Sequence, residues 1–272
     1  GVLDVQSNQA GALTEDDRLL LEGLCGQVAV AIEQTRLRQE MAERIAWECL
    51  NNETRMWQYL HEVEGGIISS LFDKNAVGNC LDLGCGSGRY SILLCKKDIE
   101  VFSLDYSLPP LIILIQNAGK ELLDGPHVVR GDGNKPPFKH GCFDAILSNQ
   151  YAGAYELDVF LSKCYELLRP GGYILFNLAN RNSYKYPLYR ILGSLTHRDE
   201  YRYSHRDVMK SLRKSGFMTL QVKGYNWVPL NRGSNSRLII LFRNLEVVFN
   251  HGIFCSISPH VYYMAEKQTN VR

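Results

Sequence analysis

LDLGCGSGRY, residues 81–90, is the stretch that decides the fold of this chain. A short apolar strand leads directly into three glycines spaced G-x-G-x-G, at Gly84, Gly86 and Gly88, and a helical segment follows. A tight turn after a strand needs backbone angles that glycine adopts freely, and the missing side chains let a ligand approach the main chain closely. The stretch therefore predicts an α/β unit whose loop binds a ligand.

The pattern around this loop repeats along the rest of the chain. From residue 79 onward, short apolar runs alternate with amphipathic stretches, which is typical of β/α units on a parallel sheet. The predicted strands are residues 80–83, 101–104, 127–130, 145–148, 173–177, 219–222 and 261–265. The predicted helices begin near Arg89, Pro109, Glu156, Tyr186 and His205. The predicted fold class is therefore α/β, with helices on both faces of one sheet.

Acidic residues follow the second and third predicted strands. The second strand, VFSLD, ends in Asp105, where a carboxylate can accept hydrogen bonds from two vicinal ribose hydroxyls. Tyr106 comes next, in a position to pack on an adenine ring. In RGDGNKPPF, Asp132 stands between Gly131 and Gly133 after the third strand. The Asp-Gly dipeptide is common in surface turns, so a plain turn is the competing interpretation of this segment.

Taken in order, these segments resemble the class I S-adenosylmethionine-dependent methyltransferases, and within them the type 11 group of small-molecule enzymes. The resemblance covers residues 75–267 and implies a Rossmann-like sheet of seven strands, with the last strand inserted antiparallel between the fifth and sixth. It implies S-adenosyl-L-methionine as cofactor and methyl transfer to an O, N or C atom of a small-molecule acceptor. The cofactor-binding residues that it implies are Asp82, Gly84, Cys85, Gly86, Gly88, Asp105, Tyr106, Gly131, Asp132, Gly133 and Asn149. Among these, the resemblance implies that Asp132 accepts a hydrogen bond from the amino group of adenine.

The fourth strand, in FDAILSNQY, should present its last residues to both cofactor and acceptor, because ligands of open α/β sheets bind beyond the carboxyl ends of the strands. The segment lacks the Asn/Asp-Pro-Pro-Tyr pattern of methylases that act on exocyclic base amines, which counts against a DNA methylase. Candidate catalytic bases are Tyr151, His197 and His205. For His205 a structural explanation competes, because Ser204 and Asp207 form a capping box around it.

Residues 1–40 stand apart from this pattern. They resemble the C-terminal strand and long helix of a GAF sensory domain, and Thr14 with Asp17 predicts a capped helix start. The predicted domains are this GAF-like remnant, a helical linker at residues 41–74 and the methyltransferase domain at residues 75–272. The long helix is a candidate for pairing two copies in a homodimer.

Composition narrows the setting and the partners. The formal net charge is +1, and the eight cysteines form neither a CxxC pair nor a zinc-like cluster, so we expect free thiols, no metal and a cytoplasmic location. No apolar run reaches the length of a transmembrane helix. The sequence offers two acceptor-cover segments, residues 180–203 and 225–259. Arginines and tyrosines in and after the first of these segments could bind RNA, so an RNA (tRNA) methyltransferase is an alternative function. A non-catalytic sensory or scaffold protein is a second alternative.

Overall fold

The computed structural model describes residues 14–73, 76–121, 124–152, 156–185, 187, 203–242 and 254–269, with only the backbone of residues 44–53. The described helices are α1 (Glu15–Glu53), α2 (Arg55–Phe72), α3 (Arg89–Cys95), α4 (Leu108–Glu121), α5 (Leu157–Leu167) and α6 (His205–Lys214). The chain forms two compact units, Gly1–Glu48 and Cys49–Arg272. The predicted strand at the start of the chain and the helix start near Tyr186 lie outside the described residues.

Seven strands form one sheet in the second unit. They are β1 (Asn79–Leu83), β2 (Glu100–Asp105), β3 (His127–Arg130), β4 (Phe143–Ser148), β5 (Leu168–Ala179), β6 (Phe217–Tyr225) and β7 (His260–Lys267). Their order is β3-β2-β1-β4-β5-β7-β6, and β7 pairs antiparallel with both β5 and β6. The predicted α/β fold, with its inserted antiparallel last strand, is confirmed.

The sheet is covered on both faces, which explains why its central strands are buried. All six residues of β4 are buried, as parallel strands between two helical layers require. One face packs on α5 and α6 through residues such as Phe160 and Leu212. The other face packs on α2 and α3 through residues such as Ile68 and Leu94. Burial of each such side chain contributes about 1.5 to 3 kcal/mol, so both layers are needed for stability.

Helix α2 belongs to the sheet unit, although it precedes the first strand. Thr54 caps it by accepting a hydrogen bond from the Trp57 amide at 3.3 Å and donates through its hydroxyl to the Arg232 carbonyl at 2.8 Å. The buried stripe of the helix includes Leu60, Ile67 and Leu71. The stripe also contains one acid, Glu64, which is only 2% exposed.

Helix α1 is different, because its apolar side chains are exposed within the described residues. Its start carries the predicted capping box, in which the Asp17 amide donates to Thr14 Oγ1 at 3.2 Å and the Thr14 amide donates to Asp17 Oδ2 at 2.8 Å. Its exposed apolar residues include Leu20, Leu24, Val28 and Ile32. The GAF resemblance, the domain boundaries and the homodimer through this helix stay predictions. Among the described helices, α1 included, none is both long and apolar enough to cross a membrane.

Deletion of residues 1–39 tests whether the sheet unit binds its ligand independently. Every predicted cofactor segment lies in the second compact unit, so we expect the truncated protein to bind S-adenosylhomocysteine within about twofold of the full chain, the usual size of a remote effect. Isothermal titration calorimetry on both proteins measures this. A well-folded truncated protein with no measurable affinity would contradict the expectation.

Candidate active site

The glycine loop after β1 has the backbone that its sequence demands. Gly84, Gly86 and Gly88 have φ values of +76°, +54° and +74°, all in the left-handed region that side chains disfavour. The amides of Gly84 and Cys85 both donate to the carbonyl of Leu104, at 2.8 and 3.1 Å. The loop is therefore held against the carboxyl end of β2, at the sheet edge where ligands of this fold class bind.

Asp105, at the end of β2, holds the same loop from its other side. Its Oδ2 accepts from the Gly86 amide at 2.9 Å, and its Oδ1 accepts from the Ser107 amide at 2.9 Å. A carboxylate has about four lone-pair positions, so each oxygen retains capacity for a ribose hydroxyl. The main chain continues the connection, because the Gly131 amide donates to the Asp105 carbonyl at 3.0 Å. The loops after β1, β2 and β3 thus meet at one edge.

Asp82 lies beneath the loop, within β1. It is 2% exposed, and its Oδ2 accepts from the Ser91 hydroxyl on α3 at 2.6 Å, while Ser103 on β2 donates to Ser91 at 2.8 Å. Burial raises the pKa of Asp82 to about 7, opposed by the Ser91 hydrogen bond and assisted by the charge of Asp105. The carboxyl therefore joins β1 to the start of α3, and its contact with a cofactor stays a prediction.

The segment after β3 forms the turn that its Asp-Gly pair predicts. Asp132 is exposed, and its Oδ1 accepts from the Asn134 amide at 2.9 Å. Tyr106, after β2, is 73% exposed, which leaves its ring accessible to a ligand. The predicted adenine contacts of both residues stay predictions.

Tyr151 crosses the gap between these loops. A Cβ added at Gly84 would lie 2.3 Å from the Tyr151 ring carbon Cγ, and a Cβ added at Gly133 would lie 2.1 Å from the Tyr151 hydroxyl oxygen. The Tyr151 ring thus lies between the two glycines, in space that a side chain at either position would fill. Its hydroxyl lies beside the segment predicted to hold adenine, so a catalytic role for Tyr151 requires the ring to move.

A buried polar cluster adjoins this gap, and the sequence reasoning missed most of it. Its centre is Glu64, whose carboxylate accepts from hydroxyls or amides of four residues: Tyr90, Asn149, Gln150 and Tyr225. Tyr262 donates to Asn149 Oδ1, so the predicted cofactor residue Asn149 has both ends of its amide engaged. One signal was available in the sequence, because Glu64 interrupts the apolar stripe of a helix.

Of the two candidate histidines, the described residues include His205, and it does not join this cluster. His205 is the first residue of α6, inside the predicted capping box, and its Nδ1 lies 3.2 Å from the Tyr263 hydroxyl. Tyr263 and Tyr262 are consecutive on β7 and therefore point to opposite faces of the sheet. Burial lowers the pKa of His205. His197 lies outside the described residues.

The described ends of the two acceptor-cover segments contact each other. The side-chain amide of Asn180 donates to three carbonyls of the second segment, at Cys255, Ser256 and Ser258, with distances of 3.1, 3.0 and 3.0 Å. The Tyr184 hydroxyl donates to the Trp227 carbonyl at 2.5 Å, and the two rings stack. The two segments thus meet beyond the carboxyl end of β5, while the predicted mobile cover stays a prediction.

The middle of the chain matches a known protein family. Residues 81–176 match a family model described as a methyltransferase domain. These residues are similar to a methyltransferase domain, and the seven-stranded sheet has the class I methyltransferase fold. The match begins at the glycine loop's strand and ends in β5, so it contains the glycine loop, the acidic residues after the second and third strands, and the fourth strand. The residues at the sheet edge fit S-adenosylmethionine, the cofactor that the resemblance implies, since the glycine cradle and Asp105 lie together there.

Two curated relatives of the methyltransferase domain are O-methyltransferases. The malonyl-acyl-carrier-protein O-methyltransferase of Methylococcus capsulatus is 29% identical over 166 residues, which cover 59% of this chain and 58% of that protein. The ubiquinone biosynthesis O-methyltransferase of Vibrio parahaemolyticus is 23% identical over 203 residues, 71% of this chain and 85% of that protein. The chain thus spans a little over half of the first relative's length.

A solved structure shows the same fold. The magnesium protoporphyrin IX methyltransferase of Synechocystis PCC 6803, solved with bound SAH, superposes with a TM-score of 0.55 at 17% identity. The superposition covers 78% of this chain and 85% of that chain. At this identity the likeness concerns the fold of the methyltransferase domain.

The raised pKa of Asp82 gives the methyltransferase domain a pH-dependent stability. Between pH 4 and pH 7 the folded protein keeps a proton on Asp82 that the unfolded chain releases at its ordinary pKa of 3.8, so stability falls as pH rises through this window. Three pKa units correspond to roughly 4 kcal/mol. Asp82→Asn lacks this titration. In urea unfolding, the free energy of unfolding of the variant should therefore rise relative to that of the wild type as pH rises from 4 to 8. Parallel curves would mean that Asp82 is ionised in the folded protein throughout.

The position of Tyr151 makes a kinetic prediction. Because the ring lies between Gly84 and Gly133, we expect a cofactor to enter only after the ring moves. Tyr151→Ala should therefore raise the association rate constant for S-adenosylhomocysteine, by roughly tenfold if the gap is open about a tenth of the time. Stopped-flow tryptophan fluorescence measures the rate. Tyr151→Phe keeps the ring and should associate like the wild type; equal rates for all three proteins would show that the ring is no obstacle.

Proposed function

We propose that this protein is an S-adenosylmethionine-dependent methyltransferase that transfers the methyl group to an oxygen atom of a small-molecule acceptor. The observation that carries the proposal is the position of Asp105. Its carboxylate is anchored by the Gly86 and Ser107 amides at the edge where three loops meet, with acceptor capacity left for ribose hydroxyls. The methyltransferase-domain match over residues 81–176 supports the same assignment.

For methyl transfer, this chain has to bind the cofactor and the acceptor and to align them. When bound, the cofactor supplies a methyl group activated by a sulfonium centre, and transfer is an in-line displacement by the acceptor oxygen. The glycine loop lets the cofactor's methionine part approach the main chain, Asp105 fixes the ribose, and Asp132 with Tyr106 lies on the adenine side. The acceptor then enters beyond the carboxyl ends of β4 and β5, where Ser148 ends the fourth strand and residues 149–151 follow it.

Oxygen is the proposed acceptor atom because the matched relatives are named O-methyltransferases. Their names include a carboxylic acid carried on a protein and a ubiquinone precursor pathway, so carboxylate and phenolic hydroxyl are the two acceptor groups to test. A carboxylate is already ionised near neutral pH, whereas a phenolic hydroxyl has a pKa of about 10 and is helped by a general base that takes up its proton. A positioned, weakly basic group suffices.

The RNA methyltransferase alternative gains little support from the described residues. Among the tyrosines that could have formed a stacking surface beside the arginines, Tyr184 stacks on Trp227, and the Tyr203 hydroxyl accepts from the Leu157 amide at 2.9 Å. Both are engaged in contacts within the protein. The non-catalytic alternative would need a damaged cofactor loop, and Gly84, Gly86 and Gly88 are all in place.

The test combines cofactor binding with methyl transfer. The wild type should bind S-adenosylmethionine in calorimetry and transfer a radiolabelled methyl group to a member of a panel of fatty acids, acyl thioesters and catechols. Asp105→Ala should weaken cofactor affinity by about ten- to a hundredfold, because hydrogen bonds to a charged group contribute roughly 1.5 to 3 kcal/mol.

The control for this substitution is Asp98→Ala, which removes a carboxylate from the turn that precedes β2, at the opposite end of the strand from Asp105. Its cofactor affinity should equal that of the wild type. A wild-type protein without affinity for the cofactor or its demethylated product would refute the proposed function, and product methylated on nitrogen or carbon would refute the choice of oxygen.

A further inference from the structure

Glu64 is a buried carboxylate with an unusual set of partners. The Tyr90 hydroxyl donates to its Oε2 at 2.5 Å, and the Tyr225 hydroxyl donates to its Oε1 at 3.0 Å. Side-chain amides of Asn149 and Gln150 donate to the same carboxylate at 3.4 and 3.1 Å. The four donors come from α3, from β6 and from the turn after β4, so one side chain of α2 joins three separate parts of the domain.

The tyrosine donors keep their protons. Burial raises the pKa values of both Tyr90 and Tyr225 well above the ordinary value, and the nearby charge of Glu64 raises them further. Both hydroxyls therefore keep the proton with which they donate to Glu64. The carboxylate is held in one position by these two tyrosines, which leaves it fixed as an acceptor for the turn after β4.

That turn is locally strained. Gln150 has a φ of +59°, in the left-handed region that residues with a Cβ adopt at a cost of about 1 kcal/mol or more. Its amide donates to Asn177 Oδ1 at 2.6 Å, and its side chain donates to Glu64. Asn177 in turn donates to the Tyr225 hydroxyl at 2.6 Å, which closes a ring of contacts through Glu64. The strained backbone is thus fixed at two points, one of which is Glu64.

The residue after this turn is Tyr151, whose ring lies against Gly84 of the cofactor loop. We propose that Glu64 is a positioning residue of the cofactor site, which acts through Gln150 and Asn149 to hold the turn after β4 beside the glycine loop. The inference rests on the proposed function, because it concerns the same cofactor site. It places part of the catalytic apparatus on α2, outside the matched residues 81–176.

A role in docking α2 alone does not explain a carboxylate here. Glu64 sits between Leu60 and Ile67 on a buried apolar stripe, where an apolar side chain would pack without the cost of removing a charge from water. Two of its four hydrogen bonds go to consecutive residues of one short turn. The carboxylate of Glu64 therefore serves as the acceptor for that turn, and the hydrogen bonds from the two tyrosines fix its position.

The test measures cofactor affinity at both ends of the contact. Gln150→Ala removes the side-chain amide that donates to Glu64. It keeps a Cβ, so the backbone strain is unchanged. Because Gln150 is exposed, this variant should fold. We expect it to weaken S-adenosylhomocysteine binding about tenfold, a typical size for the coupling of a positioning contact to a binding site, because the backbone of the turn is then held at one point only, while the Tyr151 ring can turn aside about its own side-chain bonds in either protein. Glu64→Gln should do the same, and the double variant should be no weaker than either single one. Glu62→Gln, on the exposed side of the same helix, is the matched control and should bind like the wild type.

Calorimetry and thermal melting separate the outcomes. A merely structural Glu64 would lower the melting temperature of Glu64→Gln, leave Gln150→Ala with wild-type affinity and show no coupling in the dissociation constants, and this result would overturn the inference. Tighter binding by Gln150→Ala would overturn it too, because the contact would then hold the site closed. If Glu64→Gln does not fold, the affinity of Gln150→Ala decides alone. A wild type that fails to bind overturns the proposed function and the inference together, whereas wild-type binding with an unaffected Gln150→Ala overturns the inference only.

Discussion

The cofactor edge depends on one set of hydrogen bonds, those between the glycine loop and the end of β2. The Leu104 carbonyl accepts from two successive amides of the loop, and the neighbouring Asp105 carboxylate accepts from a third. An acceptor can be shared in this way only when the loop backbone turns sharply, which the positive φ values of Gly84 and Gly86 allow. Because Asp105 also starts the connection to β3 through the Gly131 amide, this single junction sets the spacing of three loops.

The two faces of the sheet serve the site differently. On the face of α2 and α3, consecutive polar contacts run from Glu64 to the turn after β4 and to Tyr262 on β7. On the opposite face, Tyr263 packs with Phe176 in the apolar core and contacts His205 on α6. The alternation of side chains along β7 therefore separates a polar, site-facing layer from a structural one. The position of His205 in the capping box of α6 agrees with the structural explanation that its sequence context offered.

Local signals in the sequence were sufficient for the fold. Each of the seven predicted strands lies within an observed strand, because short apolar or alternating runs bounded by turn residues favour strands, both at the centre of the sheet and at its edges. The antiparallel insertion of β7 could not be derived from periodicity. It came from the resemblance, since nothing in the pattern of YYMAEK specifies which neighbours the strand takes.

The sequence by itself determined the glycine loop, the acidic end of β2 and the caps of α1 and α6, because each of these depends on residues fewer than about twenty positions apart and on backbone rules. Only the tertiary structure decided that Glu64 meets Gln150, 86 positions away, and Tyr225, 161 positions away. The same holds for the Tyr151 ring between Gly84 and Gly133. Such contacts depend on how a helix docks on a sheet and how a turn is oriented, and no local pattern of residues encodes that geometry.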